Sequence, residues 1–182
     1  MSIVLQGSTS GSITLQEPAV AGSTVLTLPA VSGTVITTGS PQPQSVIQVV
    51  TNSTSTIQTT SSSTFTDTGL TATITPTSSS SRILIIVNQC GVRKDTGDTG
   101  VGLRLLRGAT VLLKFEDAAG NTNSGAQNFI GSVSTSFVDS PGVTTATTYK
   151  TQFNSNANIA NARVQVFDAE TASTITLLEI AG

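Results

Sequence analysis

The amino-acid sequence predicts an all-β protein: a jelly-roll-like antiparallel β-sandwich preceded by an extended, β-rich N-terminal arm. Three observations carry this expectation. Serine and threonine make up roughly three residues in ten while charged residues make up only 10%, where an ordinary soluble chain carries about a quarter charged. Threonine is β-branched, stiff at χ1 and favoured on a pleated surface, whereas the good helix formers Lys, Glu and Arg are scarce. Apolar and hydroxyl residues alternate over strand-length runs, and those runs are separated by Gly, Pro and Asn turns with no helical stretch between them.

The arm comes first. Gly11-Ser12, Gly22-Ser23 and Gly33-Thr34 recur at a fixed period, as do Pro18-Ala19-Val20-Ala21-Gly22 and Pro29-Ala30-Val31-Ser32-Gly33. Between them lie short alternating runs, Ser12 to Leu15, Thr24 to Leu28 and Thr34 to Thr37. A unit this short cannot bury its own apolar face and needs a neighbouring surface. Gly39-Ser40-Pro41-Gln42-Pro43-Gln44 reads as a semi-rigid linker. The division is therefore residues 1–44 as arm and linker and residues 45–182 as the sandwich.

Within the sandwich, Ser45 to Val50 reads as a strand, and Thr54 to Thr66 as exposed strands or a loop. Leu70 to Thr75 alternates cleanly and stops at Pro76, giving one apolar and one hydroxyl face. Arg82-Ile83-Leu84-Ile85-Ile86-Val87 is apolar without interruption after its first residue, which predicts a central strand with an interface behind it. Val101 to Leu106 and Thr110 to Phe115 form a hairpin around Arg107-Gly108-Ala109. Ala126 to Phe137, Val143 to Phe153 and Ala162 to Phe167 follow. In the last strand, Thr174 to Ile180, Ile175 and Leu177 point one way while Leu178 and Ile180 point the other. One face can meet the core; the other calls for a partner, and a subunit interface is the economical choice.

The order of several segments resembles structural proteins of tailed bacteriophages, particularly aquatic ones. The arm segment Gly11 to Gly22 and the run Leu26 to Thr34 are similar to a segment common in such proteins. Leu70 to Pro76 with Ser81 to Val87, Leu105-Leu106-Arg107-Gly108, Asp139-Ser140-Pro141, Thr147-Thr148-Tyr149-Lys150 and Ile175 to Ala181 look like a β domain of phage fibre-type proteins. The resemblance spans nearly the whole chain, through motifs that are individually Thr-rich strand sequence. It implies a virion protein, commonly trimeric: a fibre, a head fibre or a capsid decoration (cement) protein, with itself and the major capsid protein or other virion proteins as partners. It carries over no catalytic or ligand residue.

The residues point the same way. Net charge is −2 with no run of like charge, which speaks against nucleic acid and against an anionic membrane. Met1 to Gly7 lacks the basic and apolar regions of a secretion signal, so synthesis in a cytoplasm is expected, while residence in the virion is what the resemblance implies. Cys90 reads as a small buried hydrophobe, and as the only cysteine it makes no disulfide within the chain. Histidine is absent, removing His-based triads and ordinary zinc sites, while Lys94, Lys114 and Lys150 are widely spread. Arg93 to Gly100, with Asp95 and Asp98, and Phe115 to Asn121, with Glu116 and Asp117, read as solvated turns rather than calcium loops. Asp117, Asp139, Asp168 and Glu170 could supply a pair of carboxylates for glycoside hydrolysis, but the chain has no Trp and one Tyr, Tyr149, to stack sugars. The expectation is no enzyme, no catalytic residue, no cofactor and no metal. The alternative to a capsid decoration is a tail-fibre tip that grips a host glycan or protein through the loops 95–100 and 120–127.

Overall fold

The computed structural model describes residues 3–6, 8–15, 19–20, 22, 30, 42–95, 97–122, 125–157, 161–165 and 171–182. It is all-β, with antiparallel sheets packed together as a sandwich. The chain divides into two compact units, residues 1–35 and 36–182.

The first unit contains an antiparallel hairpin of β1 (Ile3–Gln6) and β2 (Ser12–Leu15), with Val4 opposite Thr14 and Leu5 opposite Ile13. The apolar run Ile3-Val4-Leu5 is the sequence signal for β1, which the repeat pattern alone did not reveal. Val4, Leu5 and Ile13 are all more than half exposed. Two strands alone are marginal in water. The strands expected at Thr24 to Leu28 and Thr34 to Thr37 lie outside the described residues.

From Gln42, where the described residues of the second unit begin, the chain makes a turn. Ser45 donates from its amide and its hydroxyl to the Gln42 carbonyl, at 3.0 and 2.6 Å. Gln44 and Ser45 then pair with Ala181, tying the entry of the sandwich to its last residues. One sheet runs in the order β3 (Val46–Thr54), β12 (Ser173–Ile180), β6 (Arg82–Lys94), with β9 (Asn128–Asp139) on the far side of β6. Two short strands, β11 (Ala162–Val164) and β4 (Gln58–Thr60), extend it at the end of β6. The other sheet runs β5 (Thr66–Ile74), β10 (Thr147–Ser155), β7 (Val101–Arg107), β8 (Thr110–Ala119). The Thr-rich stretch after β3 is thus a loop broken by β4. Val143 lies in the loop before β10, and Phe167 lies outside the described residues.

Alternation does most of the sorting. In β5, Leu70, Ala72 and Ile74 face in and are buried, while Thr71 and Thr73 face out. β6 is central, as its apolar run predicts, and is twice the expected length. Ile83, Ile85, Val87 and Gln89 face inward at odd positions. A β-bulge between Gln89 and Val92, with Gly91 at φ +60°, then inserts one residue and switches the parity. Val92 and Lys94 consequently face inward at even positions.

The interior has two apolar clusters. One gathers Leu70, Ala72, Ile74, Ile83, Ile85, Val87, Leu105, Tyr149, Ile175 and Leu177; the other gathers Val92, Val101, Leu103, Ala119, Phe153, Ala162 and Val164. Between them runs a belt of fully buried polar side chains. Thr68 and Thr151 hydroxyls lie 2.6 Å apart, Thr151 donates to Gln89 Oε1 at 2.9 Å, and Gln89 Nε2 donates to Ser173 Oγ at 2.9 Å. Ser173 Oγ also accepts the Cys90 amide at 2.8 Å, so every member of the belt is paired. Cys90 itself is buried, its sulfur 3.4 Å from the Ser132 hydroxyl.

Candidate functional site

The two outer faces of the sandwich differ in chemistry. On the β3-β12-β6-β9 sheet, the registers align Val49, Leu178, Leu84 and Val138 in one row across four strands. Val49 is 58% and Val138 47% exposed, with Leu84 and Leu178 partly buried between them. Val46 and Ile180 continue the patch on one side and Ile86, 45% exposed, on the other. The following rows turn polar: Thr51 and Thr176 hydroxyls are 3.2 Å apart, and Ser134 donates to Asn88 Oδ1 at 2.9 Å. Arg82 is the one charged side chain in these rows. The last strand places Ile175 and Leu177 in the core and Leu178 and Ile180 on this outer face.

The outer face of the β5-β10-β7-β8 sheet is charged. Lys150 Nζ donates to Asp67 Oδ2 at 2.9 Å, and Gln152 Nε2 donates to Asp67 Oδ1 at 2.7 Å. Gln152 Oε1 accepts both Nε and Nη2 of Arg104, at 2.9 and 2.6 Å. The Arg104 guanidinium sits 4.2 Å from the centre of the Phe65 ring. Lys114, in register with Arg104 on β8, pairs with Asp117. Partial burial alone would raise the Asp67 carboxyl, but the bonds from Lys150 and Gln152 outweigh it and hold the group below its ordinary value.

Two carboxylates act inside the sandwich. Asp139, at the end of β9, accepts Arg107 Nη1 at 2.9 and 2.7 Å and the Tyr149 hydroxyl at 2.7 Å. Burial, and then the neighbouring Asp139 charge, push Tyr149 far above its ordinary value and keep it a donor. Glu179 is fully buried and accepts the Thr77 amide and hydroxyl, both at 2.7 Å. Burial would raise it; the hydrogen bonds from Thr77 and its neighbours prevail and lower it.

Arg93 to Gly100 and Phe115 to Asn121 depart from the solvated turns expected of them: Arg93 and Lys94 end β6, and Phe115 to Ala119 lie in β8. Lys94 is fully buried and donates to the Gly97 carbonyl at 2.8 Å. Asp95 is buried between two guanidiniums, Arg93 at 2.6 Å and Arg163 at 2.8 Å. The cause is the parity switch in β6, which turns Lys94 inward, together with β11, which brings Arg163 alongside. Asp98 is exposed. Asp117 is exposed beside Lys114, and Asp168 and Glu170 lie outside the described residues. Among the described residues no three of His, Cys, Asp and Glu converge as a metal site would require, and no helix is long and apolar enough to cross a membrane.

A scan against protein-family models and a search of curated proteins both return no match for this chain. The geometry therefore speaks alone: one apolar face suited to association, one charged face suited to solvent or a polar ligand.

Proposed function

We propose that the protein is a non-enzymatic virion structural component, a homotrimeric capsid decoration or head-fibre protein that docks through its N-terminal arm. The observation that carries the assembly part is the apolar row Val49–Leu178–Leu84–Val138 on the outside of one sheet. Such a row, with a hydroxyl rim beside it, has the make-up of an interface core and its border. The occupant that fits is a second copy of the chain. With Arg82 the single charge in these rows, little like-charge repulsion opposes self-association. Threefold assembly matches the threefold positions of a capsid, where identical contacts repeat without strain. The hairpin Ile3–Gln6 and Ser12–Leu15, with apolar side chains in the open, suits an arm that is completed by another surface. The virion assignment rests on the resemblance of the ordered segments to phage fibre-type proteins.

Sedimentation of the full chain tests the assembly: a trimer is expected, and Val49→Lys with Val138→Lys should yield folded monomers. A wild-type chain that sediments as a monomer would remove the interface. Electron cryomicroscopy of the particle tests the address, since density on the capsid lattice supports decoration and density at the tail favours a receptor-binding tip.

A further inference from the structure

The charged face carries a groove of about 460 Å³ between the β7–β8 turn and β10. Arg104, Lys150, Thr148, Leu106, Gly108 and Ala109 are among its walls, and no carboxylate lines it. This is unusual placement for a chain with a net charge of −2. The cations are fixed in advance. Arg104 is stacked on Phe65 and held by Gln152 through Nε and Nη2, leaving Nη1 without a protein acceptor among the described residues. Lys150 uses one donor on Asp67. Gln152 is engaged at both ends, Oε1 on Arg104 and Nε2 on Asp67, so it positions both charges.

We propose that this groove binds a carboxylate-bearing sugar of an acidic glycan. The carboxylate pairs with Arg104 Nη1 and the Lys150 ammonium, the geometry in which charge-assisted bonds are strongest. The sugar's C–H face lies on Ala109, and its hydroxyls reach the Thr148 hydroxyl and the turn backbone. Three features favour a uronate over a bare oxyanion. The volume exceeds what a small ion fills. The floor is partly apolar. Two cations against the single Asp67 carboxylate leave the groove net positive, which favours an acidic sugar over a neutral one. The inference goes beyond the assembly reading and does not depend on it; it needs only this sheet to face outward.

The experiment follows amide resonances of the full chain during titration with digalacturonate, with maltose as the uncharged counterpart and with inorganic phosphate. Digalacturonate is expected to shift Gly108, Ala109 and Thr148 saturably, and Arg104→Gln or Lys150→Gln to weaken it about tenfold each. Ala109→Asp, at the exposed turn and touching neither cation's own partners, should abolish the response with the fold intact. No saturable shift, an equal response to maltose, an equal response to phosphate, or binding that survives Ala109→Asp would each overturn the proposal.

Discussion

At Asp139 a single carboxylate on one sheet holds two donors on the other, Arg107 on β7 and the Tyr149 hydroxyl on β10. The three side chains clamp the sheets together where the apolar cluster ends. Tyr149 is fully buried, so its hydroxyl has no water to turn to if the carboxylate goes. Arg107 is 31% exposed and can be rehydrated. Asp139→Ala is therefore expected to cost about 2–3 kcal/mol, less than breaking a fully buried pair. Tyr149→Phe, which keeps the Arg107 contact, should cost about 1.5 kcal/mol. Urea denaturation measures both, and values no larger than for the exposed Asp98→Ala control would show that the clamp is ornamental.

Within the elements, close approach decides as much as alternation. A Cβ on Gly100, just before β7, would sit 2.6 Å from the backbone of Ala118 in β8. No side chain can yield there, because the obstacle is main chain. Gly100→Ala is expected to open the Val101–Ala119 end of the pairing and lower stability by about 1–3 kcal/mol. Hydrogen exchange should rise first at Val101 and Ala119; uniform exchange across β7 and β8 would contradict the local cause. The sequence makes clear what repeats locally: the clean alternation of Leu70 to Ile74, the hairpin around Gly108, and the two-faced strand ending at Ile180. It conceals what depends on pairing at a distance. Gly91 looks like a turn residue, yet it sits inside β6 and reverses the inward parity, so Lys94 becomes core and Arg93 does not. The charged ladder on the outer face needs β5 beside β10, an arrangement that joins Asp67 to Lys150 across 83 positions.

For the molecule as a whole, the absence of histidine leaves a wide quiet range of pH. Asp67 and Glu179 are held below their ordinary values of 3.8 and 4.5, so their contribution is present above those values and lost as pH falls through the lower folded ones. Tyr149 is raised above its ordinary 10.0, so its contribution is complete below that pH and is lost as pH rises past it. The urea midpoint is expected to stay level from about pH 5 to 9, with an acid and an alkaline limb. A step between pH 6 and 7 would reveal a titrating group that the fold does not account for.

The buried belt of Thr68, Gln89, Thr151 and Ser173 settles a question that alternation leaves open. A strand displaced by one residue turns its apolar side chains to water and is rejected at once. A displacement by two keeps every inward residue inward, so alternation alone does not reject it. The belt tells these registers apart. Slide β10 by two residues and Thr151 meets leucine and isoleucine, while Gln89 loses its partner in a dry interior, at about 1–3 kcal/mol for each polar group stranded. The hydroxyls and the amide thus work as an index mark cut across the strands, one that aligns only when all four arrive at the same level.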